Sequence, residues 1–228
     1  MTSVEVVIGH GRYDDDHRKA AREWVTRWYE ARGYPVRFGV CRTKRWCKAA
    51  AYNAAADATT ADVLVIADAD SYPRTSSLAR AVDHAAGGGW SVPFRKVRRL
   101  SADATDTLLG CDPAAQDEPA VRVLAQAPHD ALSGGGVVVM HRDVWAQVGG
   151  FDPRFSGWGG EDYALGCALR TLADQSLGCG GNLWHLWHPP QPDCRASSPE
   201  TDALAFRYRR AKFRPDDMRA LIAEWRQL

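Results

Sequence analysis

The chain has no excess of charge of either sign. Its 29 Lys and Arg stand against 28 Asp and Glu, a formal net charge of +1, so whole-molecule capture of nucleic acid or of an anionic membrane is not expected. It has no apolar run approaching the roughly 20 residues that span a bilayer, and Met1 to Glu5 carry no charged and apolar leader. No membrane partner is therefore expected, and a cytoplasmic location is. The six cysteines include no C-x-x-C pair and no zinc-finger spacing, which leaves free thiols, several in apolar stretches such as Leu165-Gly166-Cys167. No Gly-rich, lysine-bearing phosphate loop stands near the N-terminus; His10-Gly11-Arg12 is too short for one, which argues against a nucleotidyltransferase.

What is present is an ordinary globular composition, 45% hydrophobic and 25% charged over 228 residues, enough for a sizeable core. Apolar runs at Val4 to Ile8, Val36 to Val40, Val63 to Ala67, Trp90 to Phe94, Gly136 to Met140 and Leu183 to Trp187 read as strands. Helices are expected between them: one opened by Asp14-Asp15-Asp16, one over Trp46 to Ala58, one from Thr75 to Gly87, and a short one over Arg142 to Val148. Residues 101 to 130 lack periodicity and read as a long, functional loop with room for a short helix, and two basic helical segments close the chain, Ala203 to Phe213 and Pro215 to Trp225. The alternation predicts an α/β fold with a mainly parallel sheet flanked by helices, in one domain. Within it, 1 to 100 form a nucleotide-binding half, 101 to 190 an acceptor and catalytic half, and 191 to 228 a helical tail.

Three segments carry chemistry. Asp68-Ala69-Asp70 ends the apolar strand at Val63 to Ala67, on the edge where α/β sheets bind ligands. If the backbone stays extended, one carboxylate faces a ribose while the other reaches a metal between phosphates. Glu161-Asp162 follows Gly157-Trp158-Gly159-Gly160. Acids at a helix start are common for electrostatic reasons alone, but the glycines permit close backbone approach and a tryptophan offers a flat face to a sugar ring. A carboxylate there can accept a proton from an attacking hydroxyl. His185-Leu186-Trp187-His188 adds two imidazoles, and mixed Asp/His ligands suit Mn²⁺ or a similar ion better than a closed zinc site. The spacing of three leaves open which histidine binds.

These segments, with Gly149-Gly150-Phe151-Asp152 ahead of them, resemble GT-A fold glycosyltransferases. The resemblance is to the β-1,4-galactosyltransferase and the C-terminal half of the polypeptide N-acetylgalactosaminyltransferase type. It covers residues 4 to 190 and is strongest over 134 to 190. It implies a nucleotide-sugar donor, UDP-linked, and Mn²⁺ or Mg²⁺. It further implies that Asp68 and Asp70 serve the ribose and the metal, that His185 or His188 completes the metal site, and that Gly9, His10, Gly11 and Arg12 hold the nucleotide. Lys48 and Asn53 match nucleotide-contacting residues of the following helix, and Gly134, Gly135 and Gly136 border the donor sugar. On the acceptor side stand Trp158, Gly159, Gly160 and Glu161, with Asp162 as general base; an aspartate there implies inversion.

The chain departs from the galactosyltransferase pattern in Tyr163-Ala164, where further acids would follow, and the acceptor stays open among glycan, protein, small molecule and modified nucleic acid. Other readings are a retaining transferase in which Glu161 and Asp162 only orient substrate, a nucleotidyltransferase, and a non-catalytic sugar-binding module. The basic clusters Arg95 to Arg99 and Arg207 to Arg214 read as solvated surface, with a polyanion contact as the sharper alternative.

Overall fold

The computed structural model describes residues 2–226 apart from 13, 44, 122, 129–134, 158, 174–175 and 191–197. Its first half alternates as expected: β1 (Val4–Gly11), α1 (Asp16–Glu30), β2 (Val36–Cys41), α2 (Lys48–Asp57) and β3 (Val63–Asp68). Helical crossovers return the chain in the same direction, so β1 pairs in parallel with both β2 and β3. After them come β4 (Ser71–Pro73), α3 (Thr75–Ala86), β5 (Trp90–Val92), β6 (Lys96–Leu100), α4 (Ala102–Leu109), β7 (Val123–Pro128), β8 (Val137–His141) and α5 (Arg142–Val148). The remaining elements are α6 (Glu161–Leu172), β9 (Ser176–Gly178), β10 (Asn182–His185), α7 (Pro199–Ala211) and α8 (Pro215–Arg226).

The main sheet runs β2-β1-β3-β8-β5-β9. It is parallel except at β8, which lies antiparallel to both of its neighbours and brings its amino end, Gly136-Val137, beside the carboxyl end of β3. That reversal puts a glycine-rich segment against Asp68. The strand interiors are fully apolar, Val63 to Ala67 and Val137 to Met140 being buried, as a sheet covered on both faces requires.

Two helices pack beside the carboxyl ends of β1 and β3. Asp15 caps α1, its carboxylate accepting from the Arg18 amide at 2.9 Å, and Ala21, Trp24, Val25, Trp28 and Tyr29 bury one face. The Trp24 and Trp28 rings lie 5.1 and 5.0 Å from Tyr72, and their indole N–H groups donate to the carbonyls of Cys111 and Gln116. Helix α2 packs so tightly on β1 that a Cβ at Gly9 would fall 2.1 Å from the Tyr52 ring. Only glycine admits that contact, and Tyr52 then donates to the Ala67 carbonyl at 2.8 Å.

The structure corrects three expectations. Residues 101 to 130 hold the expected short helix, α4, capped by Ser101, but the rest is not one long loop: a single 3₁₀ turn covers Pro113–Ala115, and β7 follows. The segment at Leu183 does not finish the main sheet; β10 belongs to a second sheet of order β4-β10-β6-β7. The strand at Trp90 stops at Val92 rather than Phe94. All three involve short strands held by distant partners, whose sequence lacks a period of its own.

The stretch 151–162 also divides in two. Phe151-Asp152-Pro153-Arg154 is structural: Asp152, buried, accepts from Arg154 through Nε and Nη2 and from the Tyr208 hydroxyl at 2.9 Å. Arg154 reaches on to Glu224 at 2.7 Å, so one carboxylate fastens α7 and α8 to the loop before the site. Asp152→Ala strands a guanidinium and a buried phenol, and we expect a loss of about 3 kcal/mol in urea unfolding, with Arg154→Lys losing less.

Candidate functional site

A cavity of about 420 Å³ opens along the carboxyl ends of β1 and β3, lined by residues of β1, α1, α2, the Asp68–Asp70 turn, the start of α6 and the segment after β10. Its centre is a buried cation. Lys48, 7% exposed at the first position of α2, donates 3.0 Å to Asp68 Oδ1 and 2.7 Å to Asp162 Oδ1. Burial pulls this ammonium down, but Asp162 and Asp68 more than reverse it and hold it well above the ordinary lysine range. Asp162 shows the opposite balance. Burial raises its carboxyl, and the charges of Glu161 and Asp68 add to that against the opposing pull of Lys48, leaving it well above the usual carboxylate range.

Asp162 reaches this position because Gly135 has no side chain: a Cβ there would lie 2.8 Å from Asp162 Oδ2. The loop ahead of it is shaped by left-handed backbone at Gly157, Gly159 and Gly160, with φ of +98°, +95° and +89°. Gly157 donates to the Trp46 carbonyl at 2.7 Å, which ties this loop to the turn preceding Lys48. Glu161 is 9% exposed, and its Oε2 has no hydrogen-bond partner among the described residues. A buried carboxylate oxygen left unpaired in a cavity wall is ready to accept from a ligand hydroxyl.

The second pole is a three-residue cluster. Asp70 sits in the turn between β3 and β4, so Asp68 and Asp70 do not alternate along an extended strand and look to different partners. Asp70 Oδ1 lies 3.8 Å from His185 Nε2, and Oδ2 lies 3.1 Å from His188 Nε2. One ligand atom from each of the three lies within 4.8 Å of the others. Both histidines point inward because His185 ends β10 and the chain then turns, Leu186 donating to the Asp70 carbonyl at 2.8 Å and Trp187 to Thr105 Oγ1. Burial alone would raise the Asp70 carboxyl; His185, His188 and Arg18 reverse this and hold it well below the usual range. Burial depresses His185, whereas at His188 the bond to Asp70 outweighs burial and raises it. An ionised carboxylate with two imidazoles and an open cavity in front fits a divalent ion with free coordination positions.

Other expected site residues are distributed as follows. Gly9, His10 and Gly11 line the cavity and Arg12 lies outside its lining. Asp68 is not part of the metal-ready cluster, since its Oδ2 accepts from the Gly136 amide at 3.0 Å while its Oδ1 meets Lys48. Asn53 is structural: it clamps Phe151 by both backbone groups, at 2.8 and 3.0 Å, being about 140° around α2 from Lys48. Gly159 and Gly160 shape the loop rather than line the cavity, and Gly134 and Trp158 lie outside the described residues.

Sequence reasoning missed Arg18. Its guanidinium lines the cavity between Asp15 and His188 Nδ1, the latter 2.7 Å from Nη2. Lys48 is enclosed by two carboxylates, whereas Arg18, paired with Asp15, is a cation that lines the cavity beside the cluster. The signal was the run Asp14 to Arg18, which reads as helix capping and an i,i+3 pair until the fold brings His188 to it.

Comparisons with known proteins bear on the family and the fold. Residues 5–101 match the family model of glycosyl transferase family 2, and residues 125–173 match the model described as the N-terminal domain of galactosyltransferase. No curated protein matches in a sequence search. Among solved structures, a variant of Drosophila β-1,4-galactosyltransferase 7 in complex with manganese, UDP-Gal and xylobiose is 12% identical, over 90% of this chain and 79% of that one, with a TM-score of 0.59. TarS of S. aureus in complex with UDP-GlcNAc is 9% identical, over 98% and 71%, with a TM-score of 0.55. GalNAc-T7 with UDP, GalNAc and Mn²⁺ is 15% identical, over 89% and 47%, with a TM-score of 0.50. At these identities the structures carry the fold, and the family matches take in both poles of the cavity save His185 and His188. The chain is a GT-A-fold glycosyltransferase. Among the described residues no helix is long and apolar enough to cross a membrane.

If the cluster is the metal site, Mn²⁺ binds the protein without any sugar present. Titration followed by electron paramagnetic resonance should then show affinity falling by about a hundredfold or more in His188→Ala and in Asp70→Asn, and little change in Asp68→Asn.

Proposed function

We propose that this chain transfers a sugar from a UDP-sugar to an acceptor hydroxyl, with Asp70, His185 and His188 holding Mn²⁺ or Mg²⁺. One observation carries the reading: a single cavity holds a metal-ready Asp/His cluster on one wall and a carboxylate pair with an unpaired oxygen on the other. The family matches and the ligands named for the structural neighbours support the donor class. A divalent ion bound there would supply positive charge where the leaving diphosphate develops negative charge. Arg18, freed from His188, adds a guanidinium to the same phosphates, and the Gly9 to Gly11 backbone and Asp68 face the nucleoside. Glu161 accepts from a hydroxyl of the bound sugar or acceptor. In this scheme residues 1 to 100 form the donor half, 101 to 190 the acceptor half, and 191 to 228 brace it.

Asp162 is the general base of the inverting version. Its carboxylate takes the acceptor's proton as the hydroxyl oxygen bonds to the anomeric carbon and the bond to the diphosphate breaks on the opposite face. A raised carboxyl suits that task, because a stronger base accepts the proton more readily. Ionisation is needed for it to act, so turnover should lose its acidic limb at a pH above the ordinary carboxylate range. The contact between Lys48 and Asp162 Oδ1 favours a second reading, in which the pair orients substrate and configuration is retained.

Three experiments test these readings. A panel of nucleotide-sugars with Mn²⁺, scored by thermal shift and by release of nucleotide, should single out UDP-linked donors; stabilisation by none of them would defeat the functional reading. Asp162→Asn should lower kcat by about 10²- to 10⁴-fold with donor binding kept. Product configuration, assigned by NMR, should be inverted; a retained anomer removes Asp162 from the role of base and leaves the orienting version.

A further inference from the structure

The corner between α7 and α8 holds an aromatic where the backbone asks for glycine. Helix α7 ends at Ala211, Lys212 is its cap, and Phe213 follows with φ of 64°, the only non-glycine residue in left-handed backbone among those described. Helices commonly end this way, but the residue is then glycine or asparagine, because a Cβ is disfavoured there. A strained aromatic is understandable when its ring is packed. Phe213 is 68% exposed, so the fold recovers little from its ring. Its amide does dock, donating to Thr171 Oγ1 at 3.1 Å, but any residue could supply that N–H.

The surroundings of the ring are basic. Lys212 Nζ stands 4.7 Å above its centroid, and Arg209 and Arg210 on the last turn of α7 are exposed with no ion pair among the described residues. Phe206, 56% exposed, lies three and four residues before those arginines and so on the same side of the helix. Acids are present at the corner too, but Asp216 is matched by Arg219 and Asp217 by Arg214. The uncompensated charge is positive and surrounds two exposed phenyl rings.

We infer that the α7–α8 corner docks on an anionic lipid surface, Phe213 and Phe206 entering the headgroup boundary while Arg209, Arg210 and Lys212 meet the phosphates. Two isolated exposed rings do not make the continuous apolar area that a protein interface needs. Two rings also fall short of the row of stacking faces on which a single nucleic-acid strand lays successive bases. Rings flanked by unmatched cations match the interfacial pattern of peripheral lipid binding. The near-neutral net charge of the whole chain does not oppose this, since headgroup attraction is local and falls off within a Debye length. Helix α7 also links the corner to chemistry: its Thr201 packs where a Cβ of Gly160 would lie, at 3.3 Å, and its 13 residues span about 20 Å. Docking through the far end therefore fixes the height and tilt of the acceptor loop over the surface.

The test is flotation of the full chain with vesicles of phosphatidylcholine alone or mixed with phosphatidylglycerol, at low and high salt, beside thermal melting. We expect binding to the mixed vesicles only, released by salt. Phe213→Gly should reduce the bound fraction several-fold while leaving the melting temperature unchanged or higher, because glycine relieves the backbone. Arg209→Glu with Arg210→Glu should abolish binding, and Phe206→Ser should weaken it. The inference is overturned by equal binding to neutral vesicles, by no binding to either, or by Phe213→Gly that binds as wild type. It is overturned equally by a lower melting temperature in Phe213→Gly, by lipid-free self-association that depends on Phe213, or by single-stranded DNA bound through the same arginines in preference to vesicles.

Discussion

A buried ammonium is tolerated only where carboxylates surround it, and the neighbourhood of Lys48 is organised around that requirement. Its two partners come from the ends of different elements, Asp68 from the carboxyl end of β3 and Asp162 from the first turn of α6. The lysine itself opens α2. Three elements distant in sequence are therefore pinned at one point, and each brings a segment the site needs: the Asp68–Asp70 turn, the turn at Trp46, and the glycine loop before Glu161. Each carboxylate offsets part of the cost of holding the ammonium in low dielectric, so one buried charge links the two halves of the cavity.

The same arrangement separates two kinds of carboxylate within one cavity. Asp70 is held low by the imidazoles and Arg18 around it, and so stays ionised, as a cation ligand must. Asp162 is held high because burial and two neighbouring acids outweigh one shared lysine, which is the condition of a proton acceptor. Chemically identical groups are thus set to different work by what faces them. The division follows the sheets: the metal-ready cluster forms where β4 and β10 of the small sheet meet the end of β3, and the acid pair where α6 meets the amino end of β8.

Much of this was legible in the sequence, and the part that was not has a physical reason. The unbroken apolar runs at Val4, Val63 and Val137 declared buried strands, and Trp24, Val25, Trp28 and Tyr29 declared the inner face of α1, because period and burial coincide there. Lys96-Val97-Arg98-Arg99-Leu100 declared nothing, since a strand of the small sheet is exposed enough to carry cations. The metal cluster could be suspected but not resolved, because His185 and His188 would diverge in an extended chain and converge only when the chain turns after β10. Asn53 and Asp152 show the reverse error: both belong to segments that resemble a site, and both spend their hydrogen bonds on holding loops in place. Arg18 was hidden by a plausible local explanation, its pairing with Asp15.

The places where local rules are broken sort themselves by whether the fold compensates. Positive φ at Gly157, Gly159 and Gly160 is carried by glycine and costs the chain little. The buried charge of Lys48 is met by two acids. Glu161 Oε2 and Phe213 differ, since nothing among the described residues answers a buried, unpaired carboxylate oxygen or a strained, exposed aromatic ring. A folded chain retains such features where something outside it completes them. For Glu161 the position in the cavity wall is what supports the proposed ligand hydroxyl, and for Phe213 the surrounding cations are what support the proposed anionic surface. Helix α7 begins against the loop that precedes the first and ends beside the second, so a single helix spans the distance between the two incomplete features.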